Sequence, residues 1–113
     1  MRSDKVIELN LEYGRPSTAE ALSKMTDSLS ALKRQGCKAA ILIHGYGSSG
    51  TGGSIKAAVR KRLGETSMSG IVKAYAGGEQ WLCRKKELLS MCRSLESFER
   101  RISGNDGITV VIL

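Results

Sequence analysis

The junction at residues 39–53 narrows the fold more than any other feature of this chain. Ala39 to Ile43 is an unbroken apolar run, followed directly by His44-Gly45-Tyr46-Gly47-Ser48-Ser49-Gly50-Thr51-Gly52-Gly53. A strand without a polar face has to be covered on both sides, as parallel strands in α/β sheets are. The glycine- and serine-rich segment after it predicts a loop. Ser54 is placed to cap a following helix, whose Ile55, Ala58, Val59 and Leu63 form an apolar stripe ending near Gly64.

Alternating elements flank this junction. Val6 to Glu12 has period two, with Ile7, Leu9 and Leu11 on one face, and predicts a strand. Ser17-Thr18-Ala19-Glu20 has the form of a capping box. Ala19, Leu22, Met25, Leu29 and Leu32 follow it at helical spacing, and Gly36 supplies a stop. Ile71 to Ala76 and Ile108 to Leu113 predict a third and a fourth strand. The fourth follows the turn signal Gly104-Asn105-Asp106-Gly107. Between them, Leu88, Met91, Cys92, Leu95, Phe98 and Ile102 share one helical face, which predicts a single long amphipathic helix over about residues 79–102. Glu96 and Arg100 stand at i,i+4 spacing on it. Trp81 fits best as its anchor, with base stacking as the alternative.

The order β-α-β-α-β-α-β requires a crossover between parallel strands. Ligands in such sheets collect at the carboxyl ends of the strands. That rule selects Asn10, Glu12 and Tyr13 after the first strand and His44 with its loop after the second.

At 113 residues the chain is sized for one domain, residues 1–113. No apolar run approaches the ~20 residues of a membrane span, so no membrane partner is expected. The start MRSDKVIELN carries no secretory signal pattern. The three cysteines, Cys37, Cys83 and Cys92, form no C-x-x-C pair and predict small buried hydrophobes in a reducing, cytoplasmic setting. With a single histidine, no zinc pattern emerges. Eighteen Lys and Arg against eleven Asp and Glu give a formal charge of +7, a field that attracts phosphate polymers.

The loop has the chemistry of a phosphate cradle: glycines open the backbone, and a helix start offers unpaired amides and a positive dipole end. Gly45-Tyr46-Gly47-Ser48-Ser49-Gly50 fits the G-x-G-x-x-G pattern of dinucleotide sites, but no acidic residue ends the next strand to hold a ribose. Gly47 to Ser54 fits a P-loop in which glycine replaces the lysine. The candidate phosphate-binding residues are thus Gly45, Tyr46, Gly47, Gly50, Gly52, Gly53 and Ser54, with Lys56 and Arg60 supplying charge and Asn10 nearby. Lys56 carries particular weight, because a cation in the first turn of a helix is unfavourable without an anion beside it.

Three stretches resemble the Smr domain, the small MutS-related module. Leu9-Asn10-Leu11-Glu12 with Ala19, Glu20, Ala21 and Leu22 lies where that family has its L-D-x-H motif and first helix. Ile43-His44-Gly45-Tyr46-Gly47 with Ile55-Lys56-Ala57-Ala58-Val59 matches its H-G-x-G-x-G loop and the helix after it. Ile108-Thr109-Val110-Val111-Ile112-Leu113 matches its closing strand. The resemblance implies an α/β fold with a two-layer βαβαββ core and a mixed four-stranded sheet, the long helix being inserted before the last strand. It implies DNA or RNA as partner and, in many members, endonuclease activity. Asn10 stands where the family has its acid and Glu12 where it has a histidine, and an amide cannot act as a general base. Nucleic-acid binding is therefore the leading expectation, with the family's route to catalysis weakened by these two replacements. The alternatives are a nuclease using His44 and Glu12, with a divalent cation possible, and a binder of dinucleotides or small phosphates. His44 either shuttles a proton or hydrogen-bonds backbone to order the loop. The inserted helix offers a possible protein-contact surface.

Overall fold

β1 (Val6–Asn10) lies parallel to β2 (Ala39–Ile43), with Val6 opposite Ala39 and Asn10 opposite Ile43. β2 pairs antiparallel with β4 (Ile108–Ile112), which pairs antiparallel with β3 (Ala74–Gly77). The sheet order is β1–β2–β4–β3, so the expected mixed four-stranded sheet is present. The computed structural model describes residues 5–14, 16–45 and 51–113, and for residues 51–54 only the helical backbone.

Helices cover both faces of this sheet. α1 (Thr18–Arg34) and α2 (Thr51–Leu63) pack on one side, where Met25, Leu29, Ile55 and Val59 meet Ala40, Leu42, Val111 and Leu113. On the other side Trp81, Leu88, Cys92, Leu95 and Ile102 meet Ala39, Ile41, Val110 and Ile112. Successive β2 residues thus alternate between two apolar layers, which is why AAILI has no polar position. The inserted segment forms the second helical layer over a two-layer βαβαββ core.

Local signals account for much of this. The Ser17 hydroxyl accepts the Glu20 amide at 3.1 Å and the Glu20 carboxylate accepts the Ser17 amide at 2.8 Å, the capping box expected at this helix start. Gly36 ends the helical run with φ +87°. Ala21 rather than Ala19 is the buried alanine of α1.

Several boundaries differ from the sequence expectation. β1 stops at Asn10 because the side-chain oxygen of Asn10 accepts the amides of Glu12 and Tyr13, turning the chain. Ile71 and Val72 are not strand residues. Their amides bond to the Met68 carbonyl, and β3 begins only at Ala74. The single long helix is the largest correction. Residues 78–102 fold as a 3₁₀ turn, α3 (Trp81–Met91), a second 3₁₀ stretch (Arg93–Phe98) and α4 (Glu99–Ile102). The break is at Cys92, which is extended (φ −148°, ψ 96°). An unbroken helix of this length would run about 36 Å across strands of five residues that span about 17 Å. Bending at Cys92 returns Leu95 and Ile102 to the same cluster as Leu88. The 3₁₀ geometry also removes the i,i+4 adjacency expected of Glu96 and Arg100. Cys37 and Cys92 are buried as expected, whereas Cys83 is exposed.

Candidate functional site

β1, β2 and β3 run in one direction and β4 in the other, so three strand ends and one strand start meet at a single edge of the sheet. Asn10, Glu12 and Tyr13 arrive there from β1, His44 and Gly45 from β2, Gly77 and Glu79 from β3, and Gly107 and Thr109 from β4. α2 contributes Lys56 and Arg60.

His44 lies at the centre of this edge with no exposed surface. Its Nδ1 is 3.0 Å from the Gly45 carbonyl oxygen and its Nε2 is 2.7 Å from the Thr109 hydroxyl. Arg60 Nε donates to that same hydroxyl at 3.1 Å. The Gly45 carbonyl can only accept, which places a proton on Nδ1, and burial favours the neutral ring, which leaves Nε2 as an acceptor. Arg60 therefore donates to Thr109, Thr109 to His44 Nε2, and His44 Nδ1–H to the Gly45 carbonyl, with the imidazole neutral. Burial lowers the His44 pKa from its ordinary value. The Gly45 carbonyl opposes that shift, while the charges of Arg60 and Lys56 reinforce it. Of the two roles open to His44 in the sequence, ordering the backbone is the one this geometry serves.

Arg60 is equally committed. Its guanidinium grips both oxygens of Glu79, at 2.6 and 3.0 Å, and reaches the Ile108 carbonyl at 3.4 Å. The hydrogen bonds from Arg60 hold the Glu79 carboxyl below its usual range. Gly77 makes room for the pair, since a Cβ there would collide with the Arg60 guanidinium and the Glu79 carboxylate.

The residues expected to hold phosphate fare differently from one another. α2 begins at Thr51, so Gly52, Gly53 and Ser54 belong to its first turn and Ser54 is not its cap. The amides of a helix's first turn have no partner within the helix, a geometry that suits an anion. Lys56 consequently sits in the second turn, and its counter-charge is internal: Asp106 Oδ2 lies 3.5 Å from its Nζ. The sequence argument from a first-turn cation is thereby overturned. The Gly45 amide is also spoken for, because the Gly107 carbonyl accepts both His44 N (3.0 Å) and Gly45 N (3.1 Å). Tyr46, Gly47 and Gly50 lie outside the described residues. Asn10 spends its side-chain oxygen on the turn after β1.

Glu12 does come to His44's neighbourhood. Gly45 adopts φ +83°, which favours glycine, and a Cβ on it would meet the Glu12 carboxylate. Tyr13 projects beside it, 81% exposed. At this edge the carboxylates of Glu12, Glu79 and Asp106 stand among the cations Lys56, Arg60 and Lys24, whose Nζ donates to the Asn10 carbonyl at 3.0 Å. Among the described residues no group of three or more His, Cys, Asp and Glu side chains could hold a metal ion.

Thr109, Glu79 and Asp106 had no place in the sequence-based site. Thr109 carried one usable signal, as the only polar residue in an otherwise apolar closing strand. Trp81 is fully buried and its Nε1 donates to Glu99 Oε2 at 2.9 Å, so it anchors α3 and does not stack on a base.

The sequence matches no protein-family model and no curated protein. Its fold is similar to that in the crystal structure of the Smr domain of Thermus thermophilus MutS2, with 23% identity, 96% of each chain covered and a TM-score of 0.56. The chain has the fold of the Smr domain.

Proposed function

We propose that this domain binds the phosphate backbone of DNA or RNA and does not cleave it through His44. The observation that carries the reading is the placement of α2. Its first turn lies at the edge where β1, β2 and β3 end, and a helix start has amides without a partner inside the helix and a positive dipole end suited to an oxyanion. Lys56 stands one turn further along. Its contact with Asp106 is long, and Asp106 is half exposed, so an arriving phosphate can displace the carboxylate. The Smr fold and the net charge of +7 support the same reading.

Cleavage is disfavoured by the state of the imidazole. A general acid or base has to reach its substrate proton. Both His44 nitrogens are occupied by protein groups and the ring has no exposed surface. Glu12 is accessible, but Asn10 beside it is an amide. Arg60, held by Glu79, Thr109 and Ile108, positions this edge and is not a free phosphate ligand.

Two measurements test the proposal together. Affinity for single-stranded and duplex DNA and RNA, followed against salt, should fall linearly on logarithmic axes as counterions are displaced. Supercoiled DNA and structured RNA should remain intact with and without divalent cation. A flat salt response sinks the binding reading, and nicking that disappears in His44→Ala sinks the non-catalytic one.

A further inference from the structure

At the glycine-loop edge the described cations Lys24, Lys56 and Arg60 each have an internal partner, while the opposite edge of the sheet carries a row of cations. Lys5, Lys38 and Lys73 each occupy the position just before one of the three parallel strands β1, β2 and β3. The hydrogen-bond ladder continues through them. The Lys5 carbonyl accepts the Lys38 amide at 2.9 Å, the Lys38 carbonyl accepts the Leu113 amide at 2.9 Å, and the Lys73 amide donates to Ile112 at 2.8 Å. The three are therefore aligned along one edge, Lys5 and Lys38 on neighbouring strands and Lys73 beyond β4, over about 15 Å at a strand spacing near 4.8 Å. α1 ends at the same edge with Lys33 and Arg34, and Lys33 Nζ reaches the Leu113 carbonyl at 3.2 Å.

Lys33 and Arg34 have a structural reason to be there, since cations suit the C-terminal end of a helix. Lys5, Lys38 and Lys73 have none, because strand starts carry little dipole. Among the described residues none of the five pairs with a side-chain carboxylate, whereas Lys56 and Arg60 at the other edge both do and Lys24 there bonds the Asn10 carbonyl. Glu65 lines an open groove beside Lys73, but its carboxylate is held by Arg62 at 3.3 Å. Lys5 and Lys73 are exposed.

We infer that this row of lysines is a second phosphate-backbone contact, carrying more of the electrostatic affinity than the glycine-loop edge does. The inference rests on the nucleic-acid reading above and deepens it. A nucleic-acid backbone is favoured over an anionic membrane because the cations form an extended row and none of the exposed large apolar residues, Tyr13, Leu82 and Met91, stands among them to enter a bilayer.

The test compares Lys5→Glu/Lys73→Glu with Lys86→Glu/Arg100→Glu, which changes the net charge equally on the α3–α4 layer. All four positions are exposed, and melting curves confirm that each protein is folded. The edge variant is expected to lose at least about tenfold in affinity and about two units of salt slope, with the control far less affected and Lys5→Arg/Lys73→Arg restoring wild-type binding. Wild-type binding with equal losses in both charge reversals overturns this inference and leaves the proposed function standing. If the wild type binds neither DNA nor RNA, or binds only phosphatidylserine vesicles, both fall together.

Discussion

The hydroxyl of Thr109 lies 2.7 Å from Nε2 of His44, two fully buried residues 65 positions apart in the chain. The same hydroxyl accepts from Arg60 Nε at 3.1 Å, so one oxygen ties β4 to β2 and to α2. Thr109→Val keeps the shape and removes the oxygen, leaving a buried imidazole nitrogen and a guanidinium N–H without this partner. The expected loss is about 1–3 kcal/mol in denaturant unfolding, with Thr109→Ser close to wild type. A Thr109→Val protein as stable as wild type would show that the network contributes nothing.

Gly45 and Gly36 separate two costs that usually travel together. Both adopt positive φ, at +83° and +87°, but only Gly45 has a neighbour in the way, the Glu12 carboxylate. Gly36→Ala should cost only the left-handed penalty of about 1–2 kcal/mol. Gly45→Ala should cost more, and Glu12→Gly in the same chain should recover the difference. Equal losses at the two glycines would mean that Glu12 yields freely. The measurement is equilibrium unfolding of the two single variants and the double variant.

How legible this architecture is from sequence depends on how local each signal is. The capping box at Ser17 and Glu20, the stop at Gly36 and the two-faced strand at Ala39–Ile43 are each set by a few consecutive residues, and each stands as expected. The inserted segment misled because its apolar period runs unbroken through Cys92. Only the limited width of the sheet beneath it requires a bend there. The site was half visible. Strand order brought Glu12 and His44 to one edge, but the ion pairs of Lys56 with Asp106 and of Arg60 with Glu79 depend on β4 lying between β2 and β3. Nothing in the spacing of those residues encodes that insertion. The consequence for function is direct, since the cations that looked free in sequence have carboxylates within reach.

Trp81 gives the fold a built-in probe. It is the chain's single tryptophan, and it is fully buried beside Leu88 and Leu95 with its N–H on Glu99, whose same oxygen Lys85 Nζ approaches at 2.6 Å. Native emission should lie at short wavelength and shift red on unfolding. Trp81→Ala should cost about 3–5 kcal/mol, and Trp81→Phe, which keeps the ring and loses the N–H, clearly less. Quenching of native fluorescence by iodide at the rate of an exposed indole would contradict the burial on which α3's anchoring rests.

His44 makes the stability of the chain depend on pH in a direction that can be stated in advance. Burial holds its folded pKa below the ordinary value, so the folded protein resists a proton that the unfolded chain accepts. Above an ordinary imidazole pKa of about 6.5, both states are neutral and the contribution is complete. As pH falls below that value the unfolded state binds the proton first, and stability drains until the folded pKa is reached. Protonation would also place a positive imidazole against Arg60, and its new Nε2–H would displace the Thr109 proton from its acceptor. Because this is the chain's single histidine, its ring resonances in an NMR titration are unambiguous. They should show a midpoint below the ordinary value in the folded protein and an ordinary one in denaturant. Unfolding free energy should decline over that same window, and His44→Gln, which cannot titrate, should flatten the slope there while lowering the plateau. A folded-state midpoint at or above the ordinary value would mean that the imidazole is solvated, and the reading of this edge as non-catalytic would lose its footing.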